Sequence, residues 1–188
     1  MNTLATHIRK YIDFSNDDVN ELERHATLLN LQRKDFLIQE EQVCNSFFFV
    51  RQGALRMYYM TEKASEQIVQ FAIEGWWISD YFSFMDNTPS KYCIQAIEKS
   101  EVIAITKTDL ELLLAKLPHL ERYFRIVMQR DLAASQYRNK LLYEMSKEEF
   151  YRHFSTTYPQ FVQRVPQYMI ASYLGLTPEY VSELRKKK

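Results

Sequence analysis

The sequence predicts an α+β fold in which helices flank an antiparallel barrel or sandwich of short strands, followed by a long helix and a helix-turn-helix. Three observations predict this order. Apolar residues recur at helical spacing in residues 4–30, fall into short β-branched and aromatic runs between 31 and 106, and return to helical spacing after Thr106. Short strands at near-regular intervals between turn residues are typical of barrels and sandwiches.

The composition is that of a folded chain with a locally basic end. Of the 188 residues, 46% are hydrophobic, and the 24 basic residues balance the 24 acidic ones. This apolar content excludes disorder of the whole chain, and the zero net charge excludes a uniformly basic surface. Residues 147–188 hold seven basic and four acidic residues, a net charge of +3 that leaves −3 for the remainder. The excess has the sign expected of a DNA-binding segment.

Several function classes lack the residues they need. Cys44 and Cys93 stand far apart in apolar runs, which predicts buried thiols in a reducing, cytoplasmic environment. The sequence has no Cys/His cluster for a metal and no Ser/His/Asp grouping or Gly-rich phosphate loop for catalysis. It also has no apolar run of membrane-spanning length and no signal-peptide pattern. We therefore expect no catalytic residue, metal, cofactor or membrane partner.

The N-terminal pattern predicts two helices and six strands. Leu4 and Ile8 mark the first helix, and Ser15 caps a second one. The apolar face of that second helix is expected to comprise Val19, Leu22, Ala26 and Leu29. The strand runs are 36–38, 47–50, 54–59, 68–71, 93–94 and 102–105. Their turn signals include Gly53 and Gly75.

A long helix follows the strands. Thr106 or Thr108 caps a short helix over 109–116, and Pro118 opens one of about 26 residues, roughly 39 Å long, that contains neither Pro nor Gly. Its apolar stripe consists of Leu120, Phe124, Val127, Ala134 and Leu141. Such a stripe is a core face or a seam between two chains, and the helix length favours the seam of a homodimer. Ser146 and Glu149 then predict a capping box.

The last 25 residues predict a helix-turn-helix. Pro166 suits the first turn of one helix, and Gly175 provides the sharp turn after it. Thr177 is the expected N-cap and Pro178 the first residue of the second helix. Val181 and Leu184 would face the core, which leaves the polar side chains outward. An ordinary helical hairpin is the alternative, but this combination with a basic end favours DNA binding.

These segments together resemble the Crp/Fnr regulator family, in the short form common in Bacteroidetes-type bacteria. The run Phe47–Arg56 looks like the family's strand–turn–strand, and Thr177–Ser182 looks like the opening of its recognition helix. The resemblance implies an antiparallel β-roll (double-stranded β-helix) sensor over 1–118, a dimerisation helix over 119–145 and a DNA-binding domain over 146–188. It also implies transcription regulation, with double-stranded DNA, a second copy, RNA polymerase and a small-molecule effector as candidate partners.

The segment that would hold the effector, residues 77–91, is here called the effector cassette, and it departs from the family pattern. Members that bind a cyclic nucleotide have a Gly-Glu pair and a later Arg; here Ser79, Asp80 and Ser90 occupy those places. Removing one member of a buried ion pair costs about 3–5 kcal/mol, so without this Arg we expect no cyclic AMP binding. The candidate pocket residues are Trp77, Ser79, Asp80, Tyr81, Ser90 and Lys91, with Lys91 expected on the opposite strand face. Aromatic side chains either fill this pocket, the favoured interpretation, or form a site for an apolar ligand.

The recognition helix departs as well. The predicted DNA contacts are Thr177, Glu179, Tyr180, Ser182, Glu183, Arg185 and Lys186. Pro178 and Glu183 stand where the best-known family member has base-reading arginines, while Glu179 could accept a hydrogen bond from cytosine. Glu183 has the wrong sign for phosphate, and no wing sequence is expected after the helix. The alternative function is therefore a ligand-binding or protein-interaction module that has lost DNA binding.

Overall fold

The computed structural model describes residues 2–186, so Lys187 and Lys188 of the predicted basic end lie outside the described residues. The helices are α1 Asn2–Ile8, α2 Asn16–Arg24, α3 Tyr81–Asp86, α4 Lys107–Lys116, α5 His119–Glu144, α6 Lys147–Thr157, α7 Pro159–Arg164, α8 Gln167–Leu174 and α9 Pro178–Lys186. The strands are β1 Thr27–Leu31, β2 Phe36–Ile38, β3 Ser46–Gln52, β4 Ala54–Met60, β5 Glu66–Ile73, β6 Trp77–Ile78, β7 Cys93–Ala96 and β8 Ser100–Thr106. The predicted α+β fold, with its antiparallel β-roll and C-terminal helix-turn-helix, is confirmed.

Two four-stranded antiparallel sheets form the roll. Their strand orders are β1-β8-β3-β6 and β2-β7-β4-β5. Val50 and Val102 of the first sheet pack with Leu55 and Ile94 of the second in one buried cluster. These side chains come from the apolar runs of the sequence, whose burial is the main driving force for folding.

Gly53 connects the two sheets at the turn between β3 and β4. Its φ is +100°, and a Cβ built there would lie 2.7 Å from the Cα of Ser100. Only glycine therefore fits this turn without a shift of the neighbouring strand.

The second N-terminal helix is shorter than the sequence predicts. Ser15 and Asp18 form its capping box, but the helix ends at Arg24, and Thr27–Leu31 forms strand β1. The expectation that Ala26 and Leu29 continue the helical face is wrong, because this segment pairs with residues 100–104 of β8. A ladder with a neighbouring strand overrides a local helical pattern.

The predicted caps of the later helices are present. Of the two candidate threonines, Thr106 caps α4, since its Oγ1 accepts a hydrogen bond from the Asp109 N–H at 3.1 Å. Helix α5 has the expected 26 residues. Ser146 and Glu149 form the capping box that begins α6.

The predicted dimer stripe lies largely inside a single chain. Leu120 and Phe124 are buried against the roll, and Leu141 is buried against the C-terminal helices. Their assignment to a seam between chains is therefore wrong, because this face of α5 packs on its own chain. Val127 is half-buried beside the roll and Ala134 is exposed, so for these two residues the seam stays a prediction.

Polar contacts join the C-terminal helices to the roll. The Ser172 hydroxyl accepts from the Ile68 N–H at 2.9 Å and donates to the Glu66 carbonyl at 2.7 Å. Arg164 donates to both carboxylate oxygens of Glu74, at 2.8 and 2.9 Å. Helix α8 is thus held against strand β5, and the roll shares one hydrophobic cluster with helices α6 to α9, here called the head (Lys147–Lys186).

Candidate DNA-binding surface and ligand sites

The turn between α8 and α9 has the geometry that a helix-turn-helix requires. Gly175 adopts a left-handed conformation with φ 68°, and the Leu176 N–H donates to the Ala171 carbonyl at 2.9 Å. Helix α9 then begins with the Thr177 Oγ1 accepting from the Tyr180 N–H at 3.2 Å. A glycine C-cap followed by a threonine N-cap reverses the chain within three residues.

Helix α9 has one apolar and one charged face. Val181 and Leu184 are buried in the cluster that the head shares with the roll. The remaining side chains give the outward face its mixed charge. Thr177, Glu179, Glu183, Arg185 and Lys186 are exposed, and Tyr180 and Ser182 are half-buried.

Arg185 is partly held by the preceding helix. Its Nη1 donates to the Gln167 Oε1 at 3.3 Å, and the Gln167 amide in turn donates to the Pro178 carbonyl at 3.0 Å. Up to Lys186, the last described residue, the outward face of α9 thus ends in Arg185 and Lys186, of which Arg185 is oriented by α8.

The effector cassette is filled by its own hydrogen bonds. Asp80 is buried, and one of its carboxylate oxygens accepts from the Phe82 and Ser83 N–H groups at 3.1 and 3.3 Å. The other oxygen accepts from the Ser90 hydroxyl at 2.7 Å, and Ser90 is fully buried. Ser79 is also buried and donates to the Ser46 carbonyl at 2.9 Å. The carboxylate of Asp80 and the hydroxyl of Ser90 thus satisfy each other within the chain.

The other three cassette residues point in different directions. Trp77 is buried against Phe49 and Phe124, and its Nε1 donates to the Tyr123 hydroxyl at 2.8 Å. Lys91 is exposed. Tyr81 alone of the six borders the cavity described next. The predicted pocket residues therefore do not line one common site.

A cavity of about 610 Å³ lies where the roll, the long helix and the head meet. Strands β4 and β5 contribute Met57 and Gln70, and helices α6 to α8 contribute aromatic side chains. Phe150, Phe154 and Phe161 are buried in the head cluster. The volume lies within the range of sites that take small organic ligands, and the walls have the aromatic character of such sites.

Two charged side chains of α5 face this cavity. The guanidinium of Arg138 lies 4.2 Å from the ring centroid of Tyr173, and its Nη2 donates to the Tyr173 carbonyl at 2.7 Å. Asp131 stands two turns earlier on the same helix and keeps accessible surface because it faces the cavity. Burial by the surrounding protein nevertheless raises the pKa of Asp131.

One donor of Arg138 is left without a partner. Within residues 2–186, the buried Nε of Arg138 has no hydrogen-bond acceptor. A buried N–H without an acceptor costs free energy of the order of 1–3 kcal/mol. Sequence reasoning missed Arg138 and Asp131 because charges on a long helix usually face water. Their spacing of seven residues, two turns on one face, was the available signal.

Across residues 2–186, no helix has both the length and the apolar character needed to span a bilayer. The same residues hold no group of three or more His, Cys, Asp or Glu placed to bind a metal ion.

The roll matches a known domain family, and the whole chain is similar to known regulatory proteins. The model of the cyclic nucleotide-binding domain matches residues 28–116. The anaerobic regulatory protein of Pasteurella multocida is 28% identical over 165 residues, which cover 82% of this chain and 60% of the relative. Regulatory protein HlyX of Actinobacillus pleuropneumoniae is 28% identical over 193 residues, covering 97% of this chain and 76% of the relative. The chain thus spans less than two thirds of the first relative and about three quarters of the second.

A solved structure shows the same fold over most of the chain. FixK2 from Bradyrhizobium japonicum superposes with a TM-score of 0.70 at 19% identity, over 86% of this chain and 83% of that one. The likeness therefore extends beyond the roll to the helices that follow it.

Proposed function

Since this chain belongs to the Crp/Fnr family of transcription regulators, we propose that it binds double-stranded DNA as a homodimer through helix α9. The observation that carries the proposal is the turn at Gly175, which presents a capped helix with an exposed polar face. Arg185 and Lys186 at the end of that helix supply the charge for phosphate contacts, which dominate affinity for DNA.

The salt dependence of DNA binding tests this proposal. Selection from random duplexes provides the preferred sequence, and its affinity is then measured between about 50 and 200 mM salt. Lys186→Ala should weaken binding to all sequences and reduce the slope of log K against log salt by about 0.9. Lys99→Ala removes the same charge from an exposed site on the roll and should leave both quantities unchanged.

The two exposed glutamates of α9, Glu179 and Glu183, provide a second test of the proposal. Glu179→Ala should keep the salt slope and relax the preference at one base pair, by roughly 1–3 kcal/mol. Glu183→Arg should increase affinity, because the exposed carboxylate repels phosphate. If wild-type protein binds no duplex, or if Lys186→Ala changes neither affinity nor slope, a ligand-binding or interaction module becomes the better description. The exposed Glu179 and Glu183 favour that alternative.

For the dimer seam we propose a different face of α5 from the one that the sequence indicated. Met128, Leu132 and Leu142 are exposed apolar residues, and Ser135 and Asn139 lie between them at alternating spacings of three and four. This spacing is that of a coiled-coil seam, in which a polar residue such as Asn139 fixes the register. Leu132 is 61% exposed in the single chain, so a second copy would cover it.

Sedimentation tests the seam. Leu132→Glu should convert a dimer into a monomer and weaken DNA binding, because a charge on a seam must be desolvated. The control is Leu112→Glu on α4, where a leucine that is 49% exposed lies outside the stripe. A wild-type protein that sediments as a monomer at micromolar concentration would contradict the proposal.

The hydrogen bond between Ser90 and the buried Asp80 supports the proposal that this regulator does not respond to cyclic AMP. A nucleotide phosphate would have to separate Asp80 from Ser90, and the buried carboxylate would then repel it. Titration calorimetry with cyclic AMP should give no saturable heat. A dissociation constant in the micromolar range or tighter would overturn this part of the proposal.

A further inference from the structure

The cavity between the roll, α5 and the head combines an aromatic lining with an arginine that keeps one unsatisfied N–H among the described residues. Tyr173 and Phe154 border it from the head, and Arg138 borders it from α5. We propose that this cavity binds a small aromatic carboxylate, with the carboxylate on Arg138 and the ring among the aromatic side chains. This site is distinct from the cassette around Asp80 and Ser90, whose polar groups are satisfied within the chain.

The chemistry of Arg138 points to an anion. Its Nη2 is used by the Tyr173 carbonyl, but its Nε finds no acceptor among the described residues. A carboxylate oxygen is the acceptor that a guanidinium binds best, because the bond is charge-assisted and the two planar groups match. The Nε has almost no accessible surface, so a ligand would reach it only if the guanidinium turned its edge toward the cavity.

The shape of the cavity orients the ligand. Asp131 faces the same space two helical turns away, about 10 Å along the axis of α5. An anion is therefore directed to the Arg138 end and away from Asp131. The apolar body then lies between Phe150, Phe154 and Trp76, where burial of a ring displaces water from apolar walls.

The position of the cavity connects ligand and head. Its walls include Gln70 of the roll, Arg138 of the long helix and Tyr173 of α8, the first helix of the helix-turn-helix. A bound molecule would contact all three elements at once. Ligand binding in this cavity does not require DNA, so a ligand assay tests the site whether or not the protein binds DNA.

The test is titration calorimetry of the full chain with two matched probes, 1-naphthaleneacetate and its neutral amide. The wild type should bind the acid at least about tenfold more tightly than the amide, because only the acid gives a charge-assisted bond. Arg138→Gln should reduce affinity for the acid to that for the amide and leave the amide unchanged. Arg122→Gln, an exposed arginine of the same helix that does not line the cavity, should change neither affinity.

A second variant separates loss of the site from loss of the fold. Thr157 lines the cavity at the end of α6 and is exposed, so Thr157→Phe should narrow the space and weaken both probes without unfolding the head. Circular dichroism checks the fold of each variant. Equal affinities of acid and amide for the wild type, an acid preference that survives Arg138→Gln, or absence of heat from either probe at millimolar concentration would each overturn the proposal.

Discussion

The two halves of helix α5 have different environments. In the first half, Tyr123 is fully buried and its hydroxyl accepts from Trp77 Nε1 at 2.8 Å. The same hydroxyl is also hydrogen-bonded to His7 Nδ1 at 2.8 Å. In the second half, Arg138 faces a cavity and keeps an Nε without an acceptor among residues 2–186.

This difference separates a structural role from a binding role along one continuous helix. Where every polar group is paired inside the chain, a substitution should act on the free energy of unfolding. Where a group is left unsatisfied beside a cavity, a substitution should act on ligand affinity and leave stability almost unchanged.

The largest effect is expected at Tyr123. Tyr123→Ala removes a buried ring from the contact between α5 and the roll and should lower the free energy of unfolding by about 3–5 kcal/mol. Tyr143→Ala on the same helix removes a ring that is 91% exposed and should change it by less than about 0.5 kcal/mol. Urea denaturation measures both, and equal losses would remove the contrast between the two halves.

A smaller loss should follow when only the hydroxyl is deleted. Tyr123→Phe keeps the ring but leaves Trp77 Nε1 a buried donor without its acceptor. The expected cost is about 1–3 kcal/mol. Full stability of this variant would indicate that the hydroxyl pair with Trp77 and His7 contributes nothing.

The pH dependence of stability should report on His7. Burial, with smaller contributions from Lys10 and Arg130, lowers the pKa of His7 to about 4. An unfolded chain takes up this proton near pH 6.5, so the stability contributed by neutral His7 is complete above that pH and is lost as the pH falls toward 4. Because the ring is only half-buried, we expect a loss of about 1 kcal/mol between pH 7 and 5.

Paired denaturation curves isolate that contribution. His7→Gln should show an acid-induced loss of stability that is smaller than in the wild type by the same amount, since other titrating groups are common to both. Identical pH profiles of the two proteins would contradict the assignment to His7.

A small effect on stability is also expected at Arg138. Arg138→Gln loses one hydrogen bond to the Tyr173 carbonyl but also removes a buried, unsatisfied N–H. These changes oppose each other, so the free energy of unfolding should shift by less than about 1 kcal/mol. A loss comparable with that of Tyr123→Ala would place Arg138 in the structural half of the helix.

Local patterns predicted most of the fold. The six apolar strand runs all fall within strands of the roll, and Ser15, Thr106, Ser146 and Thr177 all cap the helices they were expected to begin. Caps and turns depend on a few neighbouring residues, so the sequence predicts them. The helical prediction for residues 26–29 is wrong because residues 27–31 pair with β8, about 75 residues away in the chain.

The sites were less predictable than the fold. The apolar period of α5 identified a buried face correctly but could not say whether the same chain or a second one covers it. In the sequence, only its seven-residue spacing from Asp131 distinguishes Arg138 from a solvated arginine. Its neighbours in the cavity come from strands and helices that the sequence places far apart.

The sequence by itself determined six of the strands, the caps of four helices and the turn at Gly175, because each depends on residues close together in the chain. Only the tertiary structure decided that Ser90 and Asp80 satisfy each other, that Leu120, Phe124 and Leu141 are internal, and that Arg138 borders a cavity. The physical reason is that burial and hydrogen-bond satisfaction are properties of packed neighbours. A side chain's own residue type does not specify them.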